Sequence, residues 1–346
     1  MVLLETLKMK SINLPDLATF IDVKDEYRNE RSFSEQLNLM KASFYNSQNV
    51  PSLNEQDKFI SHMHSMMQLT YEDNPLIPGE KDASLKWIER VSHFFNFYIK
   101  WKRPDYSVKE LSTGLYLTNF ETSYLYNLFH DNITRLLKQD DWTPPPGTFD
   151  RGEQLNDQAK LVVNDLFKDL GIIDIASAYN RRNLSVANVF LHVAKDTDQN
   201  WKQFFYDCPT TPKYTNTHID PKEDVIKAMI YLNDVNEDNG AFKYWEGSNQ
   251  IELDPLQNIF GRAITTGSYC HNKESRASVF RLPKELRVSH NFGRCVISGS
   301  KFEKELDDNV TTVTKNNIMV FDPGAGIHQG GICKQGTRLA LQVLMK

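Results

Sequence analysis

The chain divides by texture, and this division limits its possible folds more than any other feature. Beyond about residue 184, short β-prone runs recur: Val186 to Val193, Val225 to Leu232, Asn317 to Phe321 and Arg338 to Leu344. Turn formers separate them, in Asn236-Glu-Asp-Asn-Gly240, Glu246-Gly-Ser-Asn249 and Asp322-Pro-Gly-Ala-Gly326. Such runs between Gly, Asn and Pro clusters read as sheet strands. Before residue 140 the period is helical instead. Leu85, Ile88, Val91, Phe95 and Ile99 step by three and four, as do Phe120, Tyr124 and Leu128 and then Leu125, Phe129, Ile133 and Leu137. Three consecutive prolines, Pro144 to Pro146, end that pattern. One more helix is expected from Asn156 to Leu170, capped by Asn156 and stopped by Gly171. Helices first and strands later predict an α+β chain.

Residues 251–315 read as a polar, irregular connection, and connections of that length are usually lids, binding loops or disordered. Its His271, Arg276, Arg281, Arg287 and His290 suit either a solvated loop or a lid whose cations meet an anionic substrate. The expected organisation is a mostly helical region over 1–145 and a strand-rich core over 146–346 carrying this insertion.

Composition removes several functional classes. With 346 residues the chain builds a core without disulfide or zinc staples. Its net charge of −5 supplies no general basic field for a phosphate backbone, so no nucleic-acid partner is expected. No apolar run approaches the roughly 18 residues of a membrane helix, so no membrane partner is expected either. The opening Met1-Val-Leu-Leu-Glu5 lacks the basic and apolar stretches of a signal peptide. Cys208, Cys270, Cys295 and Cys333 are scattered, which suits reduced thiols and a cytoplasmic location.

Chemistry concentrates near the strand ends. Thr217-His218-Ile219-Asp220 places an imidazole and a carboxylate two apart, where they can point to one side. Alone this pair means little, since nine histidines among forty-five acids give roughly one such pair by chance. A second histidine, His328, follows the glycine turn after the Asn317 run, and Arg338 comes ten residues later. Two histidines and a carboxylate form the facial triad of non-haem Fe(II), and a nearby arginine suits a bidentate grip on a carboxylate. Other features have plainer readings: His62 and His64 diverge on a helix, and Phe94, Phe95, Phe97, Tyr98 and Trp101 read as core. Tyr244 and Trp245 suit either a pocket wall or a packed strand end.

Through these residues the chain resembles the Fe(II)- and 2-oxoglutarate-dependent oxygenases, specifically the phytanoyl-CoA dioxygenase-like family. The matching segments are His218-Ile-Asp220, Lys227 to Phe242, Gly247-Ser248, Asn317 to Asp322, His328-Gln-Gly330 and Gly336-Thr-Arg338. Glu246 and Asn249 depart from the family pattern, which often has proline and histidine there. The resemblance implies a double-stranded β-helix, or jelly roll, with N-terminal and flanking helices. It implies Fe(II) held by His218, Asp220 and His328, with Arg338 gripping the far carboxylate of 2-oxoglutarate, and O2 as the oxidant. The implied reaction is hydroxylation, desaturation or oxidative cyclisation at an unactivated C–H bond of a small-molecule metabolite, with 2-oxoglutarate decarboxylated to succinate and CO2. Asp220 speaks against halogenation, because related halogenases carry a small residue there. The alternative is a jelly-roll metal-binding or structural protein without catalysis.

Overall fold

The computed structural model describes residues 89–94, 104–139, 150–196, 217–220, 224–250, 255–265, 310–314 and 317–346, together with 57, 58, 61, 307 and 308. In chain order the named elements begin with a 3-10 turn at Lys109–Leu111, β1 (Leu115–Asn119), α1 (Ser123–Leu128) and α2 (His130–Leu137). Then come β2 (Arg151–Gln154), α3 (Asp157–Asp169), α4 (Ile172–Asn180), β3 (Val186–Lys195) and β4 (Ile226–Tyr231). After β5 (Phe242–Trp245) and a 3-10 turn at Ser248–Gln250 follow α5 (Pro255–Thr265), β6 (Val310–Val313), β7 (Asn317–Phe321), β8 (His328–Gln329) and β9 (Thr337–Met345). Helices thus combine with antiparallel sheet.

There are two sheets. The larger has six strands in the order β1-β7-β4-β9-β3-β2, and the smaller has three in the order β6-β5-β8. Every pairing is antiparallel. Side chains alternate between the two faces of a strand, so each central strand serves two cores. In β9, Leu339, Leu341, Val343 and Met345 pack with Ile133, Val163, Phe167 and Ala176 of the helices. Ala340, on the opposite face, packs with Tyr231, Met319 and Phe321 of the same sheet and with Phe242, Tyr244 and Val313 of the smaller one. The helices therefore cover one face of the large sheet, and the small sheet covers the other.

Local chemistry explains the element ends. The Asn156 side chain accepts a hydrogen bond from the Ala159 amide at 3.0 Å, capping α3 as expected. Gly171 adopts φ 70°, which stops α3 and lets α4 start at once in a new direction. The period from Phe120 to Leu137 breaks at Phe129, which leaves helical geometry (φ −104°, ψ 13°) while its ring stays buried.

Two expectations need correction. The helical reading of the first 140 residues fails at β1, which pairs with β7 along its whole length. Its side chains gain more from completing the sheet edge than a helix would offer. The reading of 251–315 as irregular fails at both described ends. Leu256, Ile259, Phe260 and Ala263 recur at helical spacing and are buried, forming α5, while Val310-Thr-Thr-Val313 pairs with β5. Of the two readings of Tyr244 and Trp245, the packed strand end holds, since both are buried at the end of β5. The prolines at 144–146, the histidines at 62 and 64, the insertion's named cations, and Cys208, Cys270 and Cys295 lie outside the described residues. Among the described residues, no helix is long and apolar enough to cross a membrane.

The cap at Asn156 gives a direct test. Asn156→Ala should lower stability by about 1 kcal/mol, with Asn156→Ser close to wild type, in urea unfolding followed by circular dichroism.

Candidate metal centre

His218, Asp220 and His328 converge. One donor atom from each lies within 4.8 Å of the others. The two histidines reach the same rung through the backbone. The His218 amide donates to the His328 carbonyl at 2.9 Å, and the His328 amide donates back to the His218 carbonyl at 2.9 Å. This reciprocal pair adds residue 218 to the small sheet beside β8, with the imidazole centroids 4.4 Å apart. The Asp220 amide donates to the Pro323 carbonyl at 2.7 Å, on the residue after Asp322 in the turn that leads to His328. Its Oδ1 lies 3.3 Å from His218 Nε2 and 3.6 Å from His328 Nε2.

The turn that aims His328 is built by its own first residue. Asp322 Oδ1 accepts from the Gly324 amide at 2.9 Å and the Ala325 amide at 3.0 Å, an Asx turn. Its Oδ2 accepts from the Tyr179 hydroxyl at 2.9 Å, and that hydroxyl accepts from Asn249 Nδ2 at 2.9 Å. Asn249, one of the two departures from the family pattern, thus completes a buried chain from α4 to the turn. Gly326 must be glycine, because a Cβ there would overlap the Tyr244 ring. The Gly326 carbonyl then accepts from His328 Nδ1 at 3.0 Å, which fixes the ring's tautomer and leaves Nε2 as a lone-pair donor.

The electrostatics suit a cation. Burial works to raise the Asp220 carboxyl, but the Lys227 ammonium first, and then the facing His218 and His328 rings, outweigh it and hold Asp220 well below the usual carboxylate range. Burial, aided by His218, pushes His328 down despite the Asp220 charge, so the ring is held neutral. Phe321 and Phe242 stack near His328, with centroids 5.4 Å and 5.9 Å away, and shield it from water. Two imidazole nitrogens and one carboxylate oxygen, with His328 oriented through Nδ1 and Asp220 through Oδ2, fit a divalent metal.

Arg338 is not brought into contact with these three. It lies buried at the start of β9, on the face of Ala340. Its Nη1 donates to the Gly240 carbonyl and, at 2.9 Å, to the Gly331 carbonyl. Nη2 faces Asp150 Oδ2 at 3.5 Å, and His192 Nδ1 reaches the same oxygen at 3.2 Å. Gly240 is needed for this approach: its φ is 92°, and a Cβ would stand 2.9 Å from Nη1.

Reasoning from sequence missed four contributors. Asp150 and His192 are brought to Arg338 by pairing of β2 with β3 and of β3 with β9. Lys227 approaches Asp220 Oδ2 within hydrogen-bonding distance. Arg262 of α5 donates to the Asp220 carbonyl at 2.8 Å and to the Gly324 carbonyl at 2.7 Å, so one guanidinium ties the Asp220 segment to the turn before His328. The signal for the last two was a lone cation inside an apolar strand and inside an apolar helical period.

No family model matches the sequence, and no curated protein matches it. Among solved structures, the chain is similar to SnoN, a non-heme alpha ketoglutarate dependent epimerase from nogalamycin biosynthesis, at 14% identity and TM-score 0.40 over 69% of this chain and 80% of that one. It is also similar to AviO1 from Streptomyces viridochromogenes Tue57, at 15% identity and TM-score 0.38 over 70% and 96%. A third is EctD from S. alaskensis with 2-oxoglutarate and 5-hydroxyectoine, at 10% identity and TM-score 0.41 over 69% and 74%. Likeness at this level carries no functional weight; the geometry of the three converging side chains does.

Asp150 supplies a pH test. Burial works to raise its carboxyl, but the His192 hydrogen bond and charge, joined by Arg338, outweigh it and leave it lowered. A depressed carboxyl stabilises the folded chain above its unfolded value of about 4, and the benefit is lost as pH falls from there through the folded value. Asp150→Asn should therefore flatten the loss of stability between pH 5 and 3, read as urea midpoints for variant and wild type (roughly the range where carboxylates titrate).

Proposed function

We propose that this chain is a non-haem Fe(II)- and 2-oxoglutarate-dependent oxygenase acting on a C–H bond of a small molecule. The observation that carries the reading is the cluster of His218 Nε2, His328 Nε2 and Asp220 Oδ1, with the His328 tautomer fixed by the Gly326 carbonyl. Fe(II) in such a triad leaves three positions for a chelating 2-oxo acid and oxygen, and supplies the oxidative chemistry.

The strand path supports a double-stranded β-helix. From β3 the chain crosses to residue 218 beside β8, returns in β4 and crosses again to β5 and β6. It then returns in β7, crosses to β8 and returns in β9. The triad stands at the small sheet, and Arg338 on the inner face of the large one.

The protein's own part is binding, orientation and exclusion of water. His218, Asp220 and His328 hold the metal. Arg338 has committed Nη1 to two carbonyls, so its Nε–Nη2 edge is the fork on which the co-substrate's distal carboxylate docks, displacing the long Asp150 contact. Phe242, Phe321 and Met229 form apolar surroundings that keep the reacting C–H bond from water. Hydroxylation is the default outcome, with desaturation and ring closure open to the same site.

The experiment is anaerobic loading with Fe(II) and 2-oxoglutarate, then exposure to oxygen with candidate substrates and mass spectrometry. Succinate and an oxidised product are expected, and alanine at 218, 220 or 328 should abolish both. Metal uptake without succinate would instead mark a binding or structural protein. Truncating one partner of a buried charge pair costs about 2–5 kcal/mol, so Arg338→Ala should raise the 2-oxoglutarate KM at least tenfold, with Arg338→Lys intermediate. An unchanged KM would assign the distal carboxylate to another cation.

A further inference from the structure

Lys227 is the only charged residue in Val225-Ile-Lys-Ala-Met-Ile-Tyr231. The alternation of β4 places it with Met229 and Tyr231 on the inner face, and register sets it beside Phe321 and Leu344. An ammonium in apolar surroundings is retained where an anion meets it. Here the anion is Asp220 Oδ2.

Asp220 is thereby engaged at each of its polar atoms by a different partner. Its amide donates to the Pro323 carbonyl at 2.7 Å, and its carbonyl accepts from Arg262 at 2.8 Å. Its Oδ2 accepts from Lys227, and Oδ1 faces the two imidazole nitrogens. A carboxylate can bind a metal through one oxygen or both. Turning Oδ2 toward the metal would break the Lys227 contact.

We infer that Lys227 is a positioning residue that makes Asp220 a one-oxygen ligand. The inference rests on the metal reading above. In an octahedral site, two imidazoles and one carboxylate oxygen leave three positions open, enough for a chelating 2-oxo acid and for oxygen. A two-oxygen Asp220 would leave only two, and the 2-oxo acid would exhaust them. Lys227 also cancels the Asp220 charge, so the loaded metal meets a dianionic co-substrate with its full double positive charge.

The test uses the full chain under anaerobic conditions. Calorimetry measures Co(II) binding, and then 2-oxoglutarate binding to the Co(II)-loaded protein, for wild type and for Lys227→Met, Lys227→Gln and Lys227→Arg. In Lys227→Met, Co(II) affinity should hold or tighten as the second oxygen joins the metal, while 2-oxoglutarate affinity falls at least about tenfold. Gln and Arg, which both donate to Oδ2, should recover most of that loss. An unchanged 2-oxoglutarate Kd in Lys227→Met overturns the inference. So does a Gln variant that behaves like Met while Arg matches wild type, because charge alone would then account for the effect. Wild type that takes up no Co(II) defeats the metal reading itself and is seen before any variant is compared.

Discussion

The reciprocal backbone pair between His218 and His328 is the contact on which the site depends. It costs the chain nothing in side chains, since each histidine uses only its own amide and carbonyl. Because the two residues occupy facing positions of one antiparallel rung, their imidazoles emerge side by side without needing a shared loop or helix. His328 is separated from His218 and Asp220 by more than a hundred residues of chain, so the three meet only once the small sheet has formed. A metal bound there, as proposed, would stabilise that strand pairing by mass action.

Around that rung the fold separates stability from chemistry by face. The helical side of the large sheet is a continuous apolar layer built from Leu191, Val193, Leu339, Leu341 and Val343 against α3 and α4. The inner side tolerates Lys227, His192 and Arg338 because each finds a partner there: Asp220, Asp150 and a pair of carbonyls. Buried polar groups left without partners cost several kcal/mol each, which is why the charges on this face stand opposite a carboxylate or a carbonyl. Tyr179 links the two sides. It packs in the helical layer while its hydroxyl reaches through to Asp322. Burial first, and then the nearby Asp322 charge, hold its hydroxyl well above the usual range, so it stays a proton donor to the turn.

Much of this was legible in sequence, for identifiable reasons. The runs at 186–193, 225–232, 317–321 and 338–344 are central strands buried on both faces, where apolar content and β-branching are densest. The edge strands β1 and β2 were not seen, because Leu-Tyr-Leu-Thr-Asn is short and has no β-branched apolar residue, and Arg-Gly-Glu-Gln has no large apolar residue at all. Among site residues, His218, Asp220 and His328 were readable as a spaced set. Lys227 and Arg262 were not assigned roles, because a cation's use depends on which carbonyl or carboxylate the tertiary fold brings to it. Arg338 was assigned a role but not its neighbours, since Asp150 reaches it only across two strand pairings.

The strict alternation along β9 has a consequence for how this sequence can change over time. Substitutions at 339, 341 and 343 answer to volume, because those side chains fill the helical layer. Substitutions at 338 and 340 answer to shape and charge on the opposite face. A change of length obeys neither rule. Inserting or deleting one residue ahead of Arg338 would exchange the two sets, driving a guanidinium among Phe167 and Val163 and leaving an apolar side chain facing the Gly240 and Gly331 carbonyls. The strand therefore admits gradual drift in composition and almost none in length, so divergence among its descendants is expected to accumulate insertions in the turns and not in β9.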